Sequence, residues 1–156
     1  LAPKLGIRMT PVDSAEAAVR GTDIVNVVTK AATPVLRGEW LAPGQHVNAA
    51  GSNSLARREL DEAAVGRAGT VVVDSRATAR GECGDLLPHT ETGRLDWDAL
   101  PELGEVILGR VPGRRSSEEI TLFESQGMAI EDLYTAKFVL DAALRQNVGI
   151  DLPVGD

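Results

Sequence analysis

A chain of 156 residues with 43% apolar and 25% charged side chains is long enough for one domain with a real core and too short for two large ones. Aromatics make up only 3%, so the core must be aliphatic, and a net charge of −7 argues against a nucleic-acid surface, which needs clustered Lys and Arg. No apolar run approaches the roughly 18 residues of a membrane-spanning helix, so no membrane partner is expected.

Taken in order, Leu1 to Gly6 reads as a helix end closed by Gly6, and Ile7 to Val12 as a short strand. Asp13 or Ser14 caps a short helix from Ser14 to Arg20, stopped by Gly21. Asp23 to Thr29 is a buried strand, and Lys30 to Pro34 a loop. Val35 to Leu41 is a short segment with Trp40, closed by Pro43-Gly44, and Val47 to Ala50 is the next strand. Arg57 to Val65 has a helical pattern, and Thr70 to Asp74 is a third strong strand. Ser75 to Cys83 reads as helical, and Asp96 to Leu103 as short and apolar-spaced. The run Arg110-Val111-Pro112-Gly113-Arg114-Arg115 is a loop, since Glu118-Glu119 follow it. Ile120 to Phe123 is a fourth strand. Glu131 to Asn147 is a long amphipathic helix, with Leu133, Ala136, Leu140, Ala143 and Leu144 on one face.

Strands alternating with helices at this spacing indicate βαβ units and a mainly parallel sheet. Ligands of such sheets bind beyond the carboxyl ends of the strands. Four ends qualify: Thr29, Gly51-Ser52-Asn53, Asp74-Ser75 and Ser125-Gln126-Gly127. Each alone is what turns and caps use. Together they offer hydroxyls and amides for a ribose, a carboxamide or a small substrate. His46-Val47-Asn48-Ala49-Ala50-Gly51-Ser52-Asn53 is the most informative stretch, a strand opening onto a small polar loop.

Other chemistry is thinly represented. His46 and His89 lack metal-ligand spacing, so no metal is expected, and His46 reads as structural. The acidic set Glu82, Asp85, Glu102, Glu105, Glu118 and Glu119 reads mostly as a solvated surface. Without a Gly-x-Ser-x-Gly elbow, a Ser-His-Asp triad is disfavoured. Cys83 has no disulfide partner, reads as an inert small apolar residue before a nucleophile, and fits a reducing, cytoplasmic setting. No signal peptide is expected. No phosphate-binding Gly-x-Gly-x-x-Gly occurs, and the chain opens at Leu1 instead of Met, as a piece of a longer protein would.

The ordered motifs carry more. Gly21-Thr22-Asp23-Ile24-Val25 leads to Thr29, then to Pro34-Val35-Leu36-Arg37-Gly38-Glu39-Trp40 and His46 to Asn53. Arg58-Glu59-Leu60-Asp61, Val71 to Asp74, Glu82-Cys83-Gly84-Asp85-Leu86, Leu103-Gly104-Glu105-Val106 and Gly109 to Arg114 follow. The series closes with Glu119 to Asp132, ITLFESQGMAIED after its first Glu. In these motifs the chain resembles the ornithine cyclodeaminase/mu-crystallin family. The resemblance implies α/β architecture: an incomplete Rossmann-type parallel sheet with helices on both faces, over residues 1–128. Residues 129–156 would be the C-terminal helix and tail of a substrate and dimerisation domain, whose apolar face is expected to be exposed.

On that template the chain begins after the second Rossmann strand. The Gly-rich turn, the residue that separates NAD from NADP, and the Arg and Lys that clamp the substrate carboxylate would lie upstream. The piece alone is then expected to be inactive, and the full protein a homodimer. Members of the family move a hydride between NAD or NADP and the α-carbon of a small amino or imino acid. The resemblance places Thr29 near the cofactor ribose, Asn48, Ala49 and Gly51 on the nicotinamide side, and Ser125 and Gly127 close to nicotinamide and substrate. Asn53 falls where the cyclodeaminase has a catalytic Asp. An amide hydrogen-bonds an amine or iminium nitrogen but does not exchange a proton as a carboxyl does. This favours imine reduction over cyclisation; the first reading is hydride transfer to or from a small imino or amino acid, of the ketimine reductase or amino-acid dehydrogenase type, with ornithine cyclodeamination and a non-catalytic, crystallin-like cofactor-binding protein as the alternatives.

Overall fold

The computed structural model describes residues 2–150 and 152–153. They fall into two compact units, Leu1–Gln126 and Gly127–Asp156. The larger holds helices α1 (Ala2–Leu5), α2 (Ala15–Val19), α3 (Glu62–Arg67), α4 (Arg76–Glu82), α5 (Leu87–Glu91) and α6 (Leu103–Ile107), and strands β1 (Ile24–Val27), β2 (His46–Ala49), β3 (Thr70–Val73) and β4 (Thr121–Glu124). The four strands form one parallel sheet in the order β1-β2-β4-β3.

The register brings the strand ends level. Ile24, His46, Thr121 and Thr70 share the first row, and Val27, Ala49, Glu124 and Val73 the last. All four chains therefore leave the sheet at one edge. Because side chains alternate, the last row shares a face with Val25, Val47, Leu122 and Val71. This is the core face, where Leu36, Leu60, Ala64, Val65, Ala79 and Leu86 pack. Glu124 is thus a carboxyl set in an aliphatic row.

Short helices start where their caps fall. Ser14 Oγ accepts from Ala17 N at 3.1 Å, Asp61 Oδ1 from Ala64 N at 2.8 Å and Ser75 Oγ from Thr78 N at 3.3 Å. The helix expected from Arg57 therefore begins at Glu62, because Leu60 bridges Leu36 and Asp61 is the cap. The apolar spacing of Asp96 to Leu103 splits into a 3₁₀ turn over Trp97–Ala99 and the start of α6, where Glu102 and Glu105 make a capping box. Helix α5 has no counterpart in the sequence reading; Pro88 is tolerated in its first turn. Ile7 to Val12 is not a strand: Ile7, Met9 and Val12 are exposed, and β1 pairs only with β2.

The second unit carries α7 (Ala129–Gln146), which ends at Asn147 in the left-handed conformation. Leu133, Leu140 and Leu144 are exposed, as are Tyr134 and Phe138. Among the described residues no helix is long and apolar enough to cross a membrane.

Candidate functional site at the strand ends

Two buried carboxylates stitch the strand ends together. Glu59, fully buried, accepts from Thr29 N at 2.5 Å through Oε1 and from Gly51 N at 2.7 Å through Oε2, joining the loop after β1 to the loop after β2. Asp74 accepts from Ser75 N at 2.7 Å, Ser125 Oγ at 3.1 Å and Gln126 N at 2.9 Å, joining the ends of β3 and β4. Ser125 N donates to the Ala49 carbonyl at 2.9 Å, which completes the row. Charge-assisted bonds of this kind are the stronger class. Gly51 is required by closeness: a Cβ there would collide with the Thr29 backbone and Glu59 Oε2.

Above this clamp lies a cavity of about 560 Å³ lined by Val28, Thr29, Lys30, Ala50, Gly51, Asn53 and Arg57. Its walls hold a hydroxyl, an amide and two cations, with no carboxylate, imidazole or thiol. Such a pocket can seat a flat polar group and orient a substrate.

The expected site residues divide accordingly. Thr29, Gly51 and Asn53 line this cavity, and Asn53 is exposed at its rim. Ser125 is stitched into the same edge of the sheet. Ala49 contributes its carbonyl alone, because its side chain is in the core. Asn48 lies elsewhere: its amide donates to Asn26 Oδ1 at 2.8 Å and its Oδ1 meets His46 Nε2 at 2.9 Å on the opposite face of the sheet. There, with His46, Thr121 and Arg114, it lines a groove of about 810 Å³. His46 is structural, held by Asn48 and by Thr121 Oγ1 at 2.7 Å. Gly127, at φ +85°, opens the second unit.

The acidic surface expected from the sequence needs a correction at Asp85. It is fully buried, and its Oδ1 accepts from Glu59 N at 2.7 Å and Leu60 N at 2.9 Å. Burial pushes its carboxyl from 3.8 up to about 6, against those two N–H bonds and with help from the Glu59 charge. Glu124 is buried beside it and pushed well above its ordinary value by burial first and by Asp85 second. Cys83 is also fully buried, and its thiol is raised by burial and by Glu124, which suits the inert role. Sequence reasoning missed Glu59 and Glu124 as structural acids. Period-2 alternation from Leu122 carried the signal for Glu124. Among the described residues no group of His, Cys, Asp and Glu could hold a metal.

Comparison with known proteins now adds to this geometry. The profile of the ornithine cyclodeaminase/mu-crystallin family matches residues 2–147. The chain belongs to that family. Over 133 residues it is 43% identical to a Delta(1)-pyrroline-2-carboxylate reductase of Bacillus cereus, covering 85% of this chain and 41% of that protein. Among solved structures it is similar to the Thermococcus litoralis Delta(1)-pyrroline-2-carboxylate reductase in complex with NADH and L-proline, at 39% identity and TM-score 0.87, covering 97% of this chain and 47% of the other. It is also similar to an archaeal alanine dehydrogenase dimer with bound NAD, at 35% identity and TM-score 0.82, covering 99% and 47%. The chain thus spans less than half the length of each of these family members. The parallel sheet with helices, incomplete beside the Rossmann-type domain of the family, is the fold the resemblance implied.

Proposed function

We propose that this chain supplies the nicotinamide-facing part of an NAD(P)-dependent oxidoreductase that acts on a small imino or amino acid. The observation that carries the reading is the strand-end pocket: Gly51 drawn against the Thr29 backbone by Glu59, with no carboxylate, imidazole or thiol on its walls. NAD(P)H would supply the hydride there. The residues present fit such a group, because small loops at one edge of a parallel sheet leave room for a flat ring. Thr29, Gly51 and the Ala49 backbone would frame the ring, and Ser125, held by Asp74, would face it. Asn53 would hydrogen-bond the substrate nitrogen. Imine reduction suits an amide at that place, since a protonated imine needs only hydride at carbon to become the amine. The two similar proteins solved with NADH or NAD support the choice of cofactor. Asn48 would act at most through the sheet, from its opposite face.

In the whole protein, residues 129–156 would belong to the substrate and dimerisation domain, and the exposed apolar side chains of α7 would meet that domain or a second copy. A free, fully buried Cys83 suits a cytoplasmic home. Three assays on the full-length protein test the reading. NAD(P)H consumption with a cyclic ketimine supports it. Ammonia and proline from ornithine would replace it with the cyclodeaminase, and tight cofactor binding with neither reaction would replace it with a binding protein. Asn53→Asp probes the same point: if the variant gains no ornithine cyclodeamination, Asn53 is not what separates the two reactions.

A further inference from the structure

We propose that Glu124 keeps its proton in the native protein, and that this neutral acid beside the Asp85 charge supports the Glu59 clamp under the strand-end pocket. Three fully buried carboxyl groups, Glu59, Asp85 and Glu124, gather on the core side of the sheet edge. Among the described residues no Lys, Arg or His forms an ion pair with any of them. Three buried charges without a cation cannot coexist at ordinary cost, so at least one group must be neutral.

The donors decide which one. Glu59 receives two backbone N–H bonds, one on each oxygen. Asp85 receives two on Oδ1. Among the described residues Glu124 receives only the Cys83 thiol, at 3.5 Å on Oε2, and a thiol is a weak donor. Glu124 is therefore the acid. Its Oε1 is buried without a partner, as is Asp85 Oδ2. The surroundings agree. Asp85, Glu59 and Asp74 all raise the Glu124 carboxyl by their charge, and Arg58 lowers Asp85 as the smallest of the causes acting on it.

The pair has a mechanical consequence. Glu124 ends β4 next to Ser125, Asp85 holds the backbone N–H groups of Glu59 and Leu60, and Glu59 holds Thr29 and Gly51. The proton on Glu124 thus keeps a further charge away from the Asp85 and Glu59 carboxylates that hold the loops after β1 and β2. Losing it sets two buried like charges against each other and loosens the clamp. Glu124 and Asp85 are positioning residues in this scheme. Their effect on nucleotide binding rests on the function proposed above, whereas the proton itself does not.

The test compares the full-length protein with Glu124→Gln. Infrared difference spectra in heavy water should show a buried protonated carboxyl in the wild type at neutral pH, absent from the variant and lost from the wild type only at alkaline pH. By linkage, the wild-type folding constant relative to the variant should fall tenfold per pH unit above 4.5, the ordinary value of the carboxyl, until Glu124 ionises. NADH and NADPH dissociation constants should rise at alkaline pH in the wild type and stay flat in the variant. If Glu124→Gln does not fold, the wild-type infrared titration and Asp85→Asn, in which the protonated band should persist at neutral pH and be lost at a lower pH than in the wild type, carry the test. No protonated band and a flat folding ratio would overturn the proposal. A band present with identical nucleotide pH profiles in both proteins would overturn the link to the pocket. Absence of any nucleotide binding would instead strike the proposed function, with the infrared result still deciding where the proton is.

Discussion

Removing the Glu59 side chain should cost more than any single surface change, because it leaves two part-buried backbone donors without their carboxylate acceptor. Its oxygens hold Thr29 N at 2.5 Å and Gly51 N at 2.7 Å. A hydrogen bond to a charged group contributes about 1.5–3 kcal/mol, so Glu59→Ala forfeits about 3–6 kcal/mol. Part of this returns, since the Glu59 charge also raises the Asp85 and Glu124 carboxyls. Relief of one pKa unit is about 1.4 kcal/mol, which leaves a net loss of about 2–5 kcal/mol. Glu59→Gln keeps one acceptor and should fall between. Urea unfolding of the full-length protein measures the total, and amide hydrogen exchange at Thr29 and Gly51 locates it. Both amides should pass from protected to freely exchanging in Glu59→Ala. Stability within about 0.5 kcal/mol of wild type, the range of ordinary surface changes, with both amides still protected, would refute the clamp.

Gly51→Ala should lose about 1–3 kcal/mol from overpacking alone, since the new Cβ meets backbone that cannot turn aside. Gly104→Ala is its control: the site is helical with open space around it, and the change should be neutral or stabilising in the same unfolding assay. Glu119 is held at about 2, below its ordinary 4.5, chiefly by its bonds to Arg115. A lowered carboxyl stabilises above its ordinary value and loses that contribution as pH falls through its native one. Glu119→Gln should therefore be less stable than wild type at neutral pH, with the two melting curves converging as pH falls from 4.5 toward 2.

The sheet was legible because its strands are Val-rich runs of the kind a buried parallel sheet requires. Asp23 to Thr29 and Thr70 to Asp74 contain β1 and β3 with a residue or two to spare. Thr29, Gly51, Asp74 and Ser125 were legible as one edge for the same reason, and the register aligns them. Ile7 to Val12 misled because alternation states which face a strand would bury and says nothing about a partner. Asp85 misled and Glu59 was missed because a carboxyl's acceptor role is invisible when its donors lie far away in sequence: Thr29 for Glu59, and the backbone of Glu59 and Leu60 for Asp85. The resemblance grouped Asn48 with Ala49 and Gly51, and the alternation of the strand turns the Asn48 side chain to the face opposite Ala49.

The central claim is that hydride passes at the strand-end pocket to the α-carbon of a small imino acid. Isotope transfer tests this most directly. The full-length protein, given NADH or NADPH carrying deuterium at the transferable position together with pyrroline-2-carboxylate or an acyclic imino acid, should yield an amino acid with deuterium at its α-carbon, resolved by mass spectrometry. Cofactor bound without any transfer, or deuterium released to solvent with none in the product, would contradict it.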